Sequence, residues 1–194
     1  RRIATRIRSL TTLLAAALRR AGAAVNTAPV FDTLVVGNVS AARVHAAAEA
    51  RKINLRVIDA TSVGLSLDEA TTEAELRAVL ACFSEAAELR AADAETAVPA
   101  PFAREGAYLA AAVFNRYHTE HELLRYIKRL EAKDISLCHS MVSLGSCTMK
   151  LNAAAEMYPV SWPEFARLHP FAPAEQTRGY QRLAHSGHDT GYIS

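Results

Sequence analysis

Val30-Phe31-Asp32-Thr33-Leu34-Val35-Val36-Gly37-Asn38 is the first run in which β-branched residues crowd together ahead of a turn pair. Val and Thr branch at Cβ and fit a pleated sheet, so residues 30–36 are expected to form a strand that ends at Gly37-Asn38. Before it, Ile3, Ile7, Leu10, Leu14 and Leu18 recur at helical spacing, with Arg6, Arg8, Arg19 and Arg20 on other faces. Arg19 and Arg20 suit the negative end of the helix dipole, and Gly22 can stop the helix. After it, residues 41–51 are Ala-rich and read as a helix, and Ile53–Ile58 and Ser62–Leu67 read as two short strands. Thr72 stands three residues before Glu75, a capping-box spacing that opens a helix through Leu76, Val79, Leu80 and Phe83. This β-α-β-β-α order with short links predicts an α+β domain over residues 1–89, a small three-stranded sheet with helices on one face.

The second half has a different texture. Arg90–Pro101 is Ala, acid and Pro with almost no bulky apolar residue, and residues 90–113 are read as a linker. Thr119 and Glu122 form another capping pair, which opens a charged helix. Its Leu123, Leu124, Ile127 and Leu130 are expected inward, with Arg125, Lys128, Arg129, Glu131 and Lys133 outward. Beyond Asp134 the period is lost, and residues 114–194 are read as that helix followed by an extended irregular arm. Asn152 can cap a short helix that Pro159 ends, and Ser161–Phe165 starts another. Trp162, Phe165 and Phe171 would be left wet on such an arm, which wants a larger body to pack on.

Composition narrows the function. The 194 residues carry 22 Lys+Arg against 20 Asp+Glu, a formal net of +2. A nucleic-acid binder that works by bulk charge would be far more basic. Hydrophobic residues make up 51%, enough for a core, although Ala inflates that figure while burying little area per side chain. No run approaches the ~18 apolar residues of a membrane span. Cys82, Cys138 and Cys147 are too few and too scattered for a disulfide framework, and a reducing compartment is the simpler reading. The chain opens at Arg1 without a Met and closes at Tyr192-Ile193-Ser194; both are read as fragment ends.

The loop Leu144-Gly145-Ser146-Cys147-Thr148-Met149-Lys150-Leu151-Asn152 is richest in chemistry. Gly145 lets the backbone approach a ligand, Ser146 and Thr148 offer hydroxyls, neighbouring N–H groups can form an anion nest, and Lys150 adds a cation. Together they suit a carboxylate or a phosphate; a polar turn between packed segments fits the same residues. Cys138, His139 and Cys147 match no zinc spacing, and buried thiols account for the two cysteines as well. Cys147 as a nucleophile would need a base, for which His139 is a candidate. His118 and His121 are three apart rather than the four of a metal helix, and Glu122 serves the cap, so a solvated helix start is expected. His169 and Trp162 are assigned to arm packing, and His185 and His188 to solvent.

Phe114–Glu120, Ser140-Met141 with Leu144–Asn152, Ala155-Glu156-Met157, Trp162–Phe165, His169-Pro170-Phe171 and Gly179-Tyr180-Gln181 resemble the glycine dehydrogenase (decarboxylating) family, the P-protein of the glycine cleavage system. Phe31–Leu34, Ile53–Arg56 and Gly64–Glu69 resemble, less tightly, the end of that protein's N-terminal half. The resemblance implies a pyridoxal phosphate (PLP) enzyme on a fold-type-I, aminotransferase-like scaffold. PLP forms an imine with glycine and takes up electrons as CO2 leaves; the aminomethyl group then passes to the lipoyl arm of the H-protein. Residues 1–89 would close the first half of a tandem protein, and 114–194 would enter the second. The remainder of the P-protein and a dimer partner are implied as neighbours, in a mitochondrial matrix if eukaryotic or cytoplasm if bacterial. The family's Schiff-base lysine follows a His, whereas Lys52, Lys128, Lys133 and Lys150 follow Arg51, Ile127, Ala132 and Met149. No catalytic residue and no metal ligand is therefore assigned to this chain. Ser146, Cys147, Thr148 and Lys150 are the candidates for contacting cofactor or substrate, with no nucleic acid or membrane expected. The competing expectation is a non-catalytic docking module.

Overall fold

The computed structural model describes residues 2–26, 30–100, 102–136, 139–141 and 153–189, with side chains as far as Ser186. The chain divides into two units, Arg1–Arg104 and Glu105–Ser194.

The first unit opens with α1 (Arg2–Arg20). Gly22, at φ +88°, turns the chain out of it. The N–H of Ala23 bonds the Leu18 carbonyl at 3.1 Å and that of Gly22 bonds Arg19 at 3.0 Å, so two orphan carbonyls are satisfied. The expected stop at Gly22 is thus in place. The sheet then corrects the expectation of three strands. It has four, β1 (Ala24–Val25), β2 (Thr33–Gly37), β3 (Arg56–Asp59) and β4 (Ser62–Ser66), in the order β1-β2-β4-β3 with every pair antiparallel. β1 is two residues long, too short for any period to show, and exists because the turn at Gly22 delivers Ala24 opposite Gly37 and Val25 opposite Val36. β3 starts at Arg56 rather than Ile53, because the Ile53 N–H closes the preceding helix on the Ala48 carbonyl at 2.9 Å.

The sheet is buried on one side. Leu34 and Val36 of β2 pair with Leu65 and Val63 of β4 on the core side, while Val35 stands on the opposite face opposite Gly64. The core side meets Leu14 and Leu18 of α1, Val44 and Ala48 of α2 (Ala41–Ala50), and Leu76 and Leu80 of α3 (Glu73–Phe83). Each of those side chains is withdrawn from water, and burying a Leu or Val side chain contributes about 1.5–3 kcal/mol. The capping box forms as its spacing predicts: the Glu75 N–H bonds Thr72 Oγ1 at 3.2 Å, and the Thr72 N–H bonds Glu75 Oε2 at 2.7 Å. Before it, Asp68 Oδ1 accepts from the N–H groups of Ala70 and Thr71 and from the Thr71 hydroxyl. The Thr71 hydroxyl leads these donors in holding the Asp68 carboxyl below its usual range.

α2 ends on a residue that the geometry does not favour. Lys52 has φ +59°, and the N–H groups of Lys52 and Ile53 bond the carbonyls of Glu49 and Ala48. Glycine usually fills this left-handed position, which costs an L-residue about 1–2 kcal/mol. Glycine's extra freedom in the unfolded chain returns about 0.5–1 kcal/mol of that. Lys52→Gly is therefore expected to stabilise the protein by about 0.5–1 kcal/mol. A raised urea midpoint would show it; an unchanged or lowered one would refute it.

Arg8 departs from the solvent-facing position its spacing suggests. It is buried, at 6% exposure, because chain distant in sequence closes over it. Its guanidinium donates to the carbonyls of Ala97 at 2.8 Å and Val30 at 2.9 Å, and to Glu95 Oε2 at 3.1 Å.

In the second unit, Thr119 caps α4 (Glu120–Glu131) through the Glu122 N–H at 3.3 Å. Leu123, Leu124, Ile127 and Leu130 do not face inward: they are 44–55% exposed, and no residue of α4 is buried. An amphipathic stripe is buried only if something packs fully on it, and these side chains keep about half of their surface exposed. On α4 itself, Tyr126 stacks on Tyr117 with ring centroids 4.3 Å apart, and the Arg129 guanidinium lies over both rings. α5 (Ala154–Met157) has Ala153 at its N-cap, and Asn152, expected to cap this helix, lies outside the described residues. Pro159 sits inside a 3-10 turn over Tyr158–Ser161, and Pro163 opens α6 (Pro163–Ala166). The arm is less extended than expected, since α7 (Arg178–Asp189) adds twelve helical residues. Tyr180 ties it down, its hydroxyl donating to the Phe165 carbonyl at 2.8 Å and its ring meeting Phe165 edge-on.

Candidate functional site

Ser146, Cys147, Thr148 and Lys150, the residues expected to meet cofactor or substrate, all lie outside the described residues, as does Cys138. Their flanks are described. Past α4, Asp134 Oδ1 accepts the Ile135 N–H at 2.7 Å. The Ser136 carbonyl accepts the N–H groups of His139 at 3.1 Å and Ser140 at 2.9 Å, which makes a single tight turn. Ser136 is buried, and its hydroxyl lies 3.3 Å from His139 Nδ1. On the other flank, Ala153 leads into α5.

A PLP site needs a lysine able to lose its proton, commonly by burial, and a cradle of donors for the phosphate. Lys52, Lys128 and Lys133 are all exposed, and Lys128 is paired with Glu131 at 2.7 Å. None of these three lysines has the buried setting that a Schiff-base lysine commonly has.

The first unit does contain a cleft, of about 740 Å³, whose lining includes Gly22, Asn38, Ser40, Arg43, Thr61 and Phe83. Its polar groups are already committed to the fold. The Ser40 hydroxyl accepts the Arg43 N–H at 3.4 Å, the Asn38 amide donates to the Gly22 carbonyl at 3.3 Å, and the Arg43 guanidinium donates to the Phe83 carbonyl at 3.3 Å. The cleft works as a joint where the ends of α1 and α3 meet the start of α2. Cys82 is buried beside it in the core, and burial pushes its thiol up, away from the reactive thiolate form. His118 and His121 stand exposed at the start of α4, as does His185 on α7.

Sequence reasoning missed Arg8, whose bonds join α1 to two distant segments. The one available signal was its surroundings: Thr11, Thr12 and Ala15, one and two turns on, leave room for a covering segment. Among the described residues, no helix is long and apolar enough to cross a membrane.

Comparison with known proteins bears on the whole chain. A family model described as "Glycine cleavage system P-protein" matches residues 1–83. Glycine dehydrogenase (decarboxylating) of Stenotrophomonas maltophilia (strain K279a) is 52% identical over 184 residues, which is 94% of this chain and 19% of that protein. The same enzyme of Stenotrophomonas maltophilia (strain R551-3) is 51% identical over 187 residues, covering 95% and 20%. That of Xanthomonas oryzae pv. oryzae (strain MAFF 311018) is 52% identical over 184 residues, covering 94% and 19%. The chain thus spans about a fifth of the length of the curated relatives it matches. Identity at this level, running through both units, places the chain in the glycine cleavage system P-protein family.

Proposed function

We propose that the chain serves as the middle segment of a PLP-dependent glycine decarboxylase. Residues 1–89 close the first half of that enzyme, 90–113 link, and 114–194 form the helix and arm that enter the second. The observation that carries this reading is the 52% identity over 94% of the chain, set within 19% of the relative's length. In the complete enzyme, the 145–152 loop stands at the mouth of the active site. There Ser146, Thr148 and nearby N–H groups bond an anionic group of cofactor or substrate, Lys150 adds positive field, and Cys147 lies between them. Glycine and a lipoylated H-protein are the partners this reading implies, and the bacterial relatives favour a cytoplasmic setting. The exposed stripe on α4 and the 90% exposure of Phe171 support packing against a larger body.

The test separates the segment from the whole. The isolated chain, incubated with PLP and reduced with borohydride, is expected to carry no adduct concentrated on one lysine and to release no CO2 from glycine. In the full-length enzyme, replacing Ser146 and Thr148 together by Ala should weaken PLP or glycine binding about tenfold, the loss of one or two net hydrogen bonds. A single modified lysine in the isolated chain, or unchanged binding in the double variant, would overturn the corresponding part of the reading.

A further inference from the structure

Residues 88–97 run back along α1. Arg20 pairs with the Asp93 carboxylate and donates to the Glu88 carbonyl at 2.9 Å. Thr12 Oγ1 accepts the Glu95 N–H at 2.9 Å. Arg8 donates to the Ala97 carbonyl and to the Glu95 carboxylate. Three side chains along one helix thus hold the run at its beginning, middle and end. Its own regular structure is a single 3-10 turn, Ala91–Asp93, with no buried residue. Leu89 and Ala94 only partly bury themselves against the core.

We propose that residues 88–97 form a releasable strap, latched to α1 by Arg8, Thr12 and Arg20, which opens as one unit while the sheet and its three helices stay folded. The contacts divide the first unit into two classes. The sheet and helices are joined by fully buried Leu and Val side chains, and the strap mainly by polar bonds whose groups water can satisfy on release. Segments with few buried apolar contacts open at lower free energy than the core they lie on.

Hydrogen exchange on the 194-residue chain, followed amide by amide at low urea, tests this. The Glu95 and Asp93 amides are expected to exchange about a hundredfold faster than the β2–β4 ladder, with little dependence on urea. Thr12→Val should speed the Glu95 amide about tenfold, and tryptic cutting at Arg90 with it, while leaving the ladder unchanged. Glu95→Ala, which removes an exposed carboxylate, should speed both about twofold. One common rate and urea dependence for strap and ladder would overturn the proposal. So would a Thr12→Val variant in which both quicken equally, or strap amides with no protection at all.

Discussion

Leu34→Ala is expected to lower the unfolding free energy of the first unit by about 3 kcal/mol, within the range of buried Leu truncations. The neighbouring change, Val35→Ala, should cost less than about 1 kcal/mol. Leu34 has no exposure, stands opposite Leu65, and lies in the cluster that joins the sheet to Leu14 and Leu18. Truncation there removes contact on every side, and the packed neighbours relax only partly into the space. Val35, one residue on, points to the other face and is 41% exposed, so water already covers much of it. The contrast between adjacent positions reads the register directly, since a slip of one residue would exchange the two faces. With a urea slope of about 1–2 kcal/mol per M, Leu34→Ala should shift the midpoint by about 1.5–3 M. Equal shifts for the two variants would refute the pairing of β2 with β4 described above.

Arg8→Ala is expected to cost about 2–3 kcal/mol, as two part-buried bonds from a buried guanidinium to backbone carbonyls are lost. Two opposing terms decide the value. Burying a guanidinium is costly, and its ion pair with Glu95 returns little, because the Glu95 side chain is 69% exposed and water screens it. The carbonyls of Ala97 and Val30 are better placed, each met by a separate guanidinium nitrogen within 2.9 Å. Most of the stabilisation therefore comes from the fork of donors and little from the net charge. Arg8→Lys keeps the charge but cannot serve carbonyls on two segments at once, and should lose about half as much as Arg8→Ala. Urea unfolding of the two variants beside Glu95→Gln, which should cost under about 0.5 kcal/mol, separates the terms. A Glu95→Gln loss as large as that of Arg8→Ala would assign the role to the ion pair instead.

The sequence carried the local features of this protein because those features are local in cause. The Thr72–Glu75 and Thr119–Glu122 caps need only a hydroxyl three residues before an acid, and both form. Gly22 needs only a left-handed turn after a helix whose stripe is already evident. The motifs from Phe114 to Gln181 carried the family for a related reason, since motif identity survives when geometry is unknown.

Tertiary structure alone decided the rest. β1 exists through its pairing with β2, which no two-residue window can announce. Lys52 holds a position that glycine usually fills, since Ile53 must still close α2. Arg8 became interior when residues 93–97 folded back over α1, and the Leu and Ile stripe of α4 stayed exposed where a helical period predicts burial. A periodic pattern states which face is able to be buried. Whether it is buried depends on an element elsewhere arriving to cover it, because apolar burial is a property of two surfaces in contact.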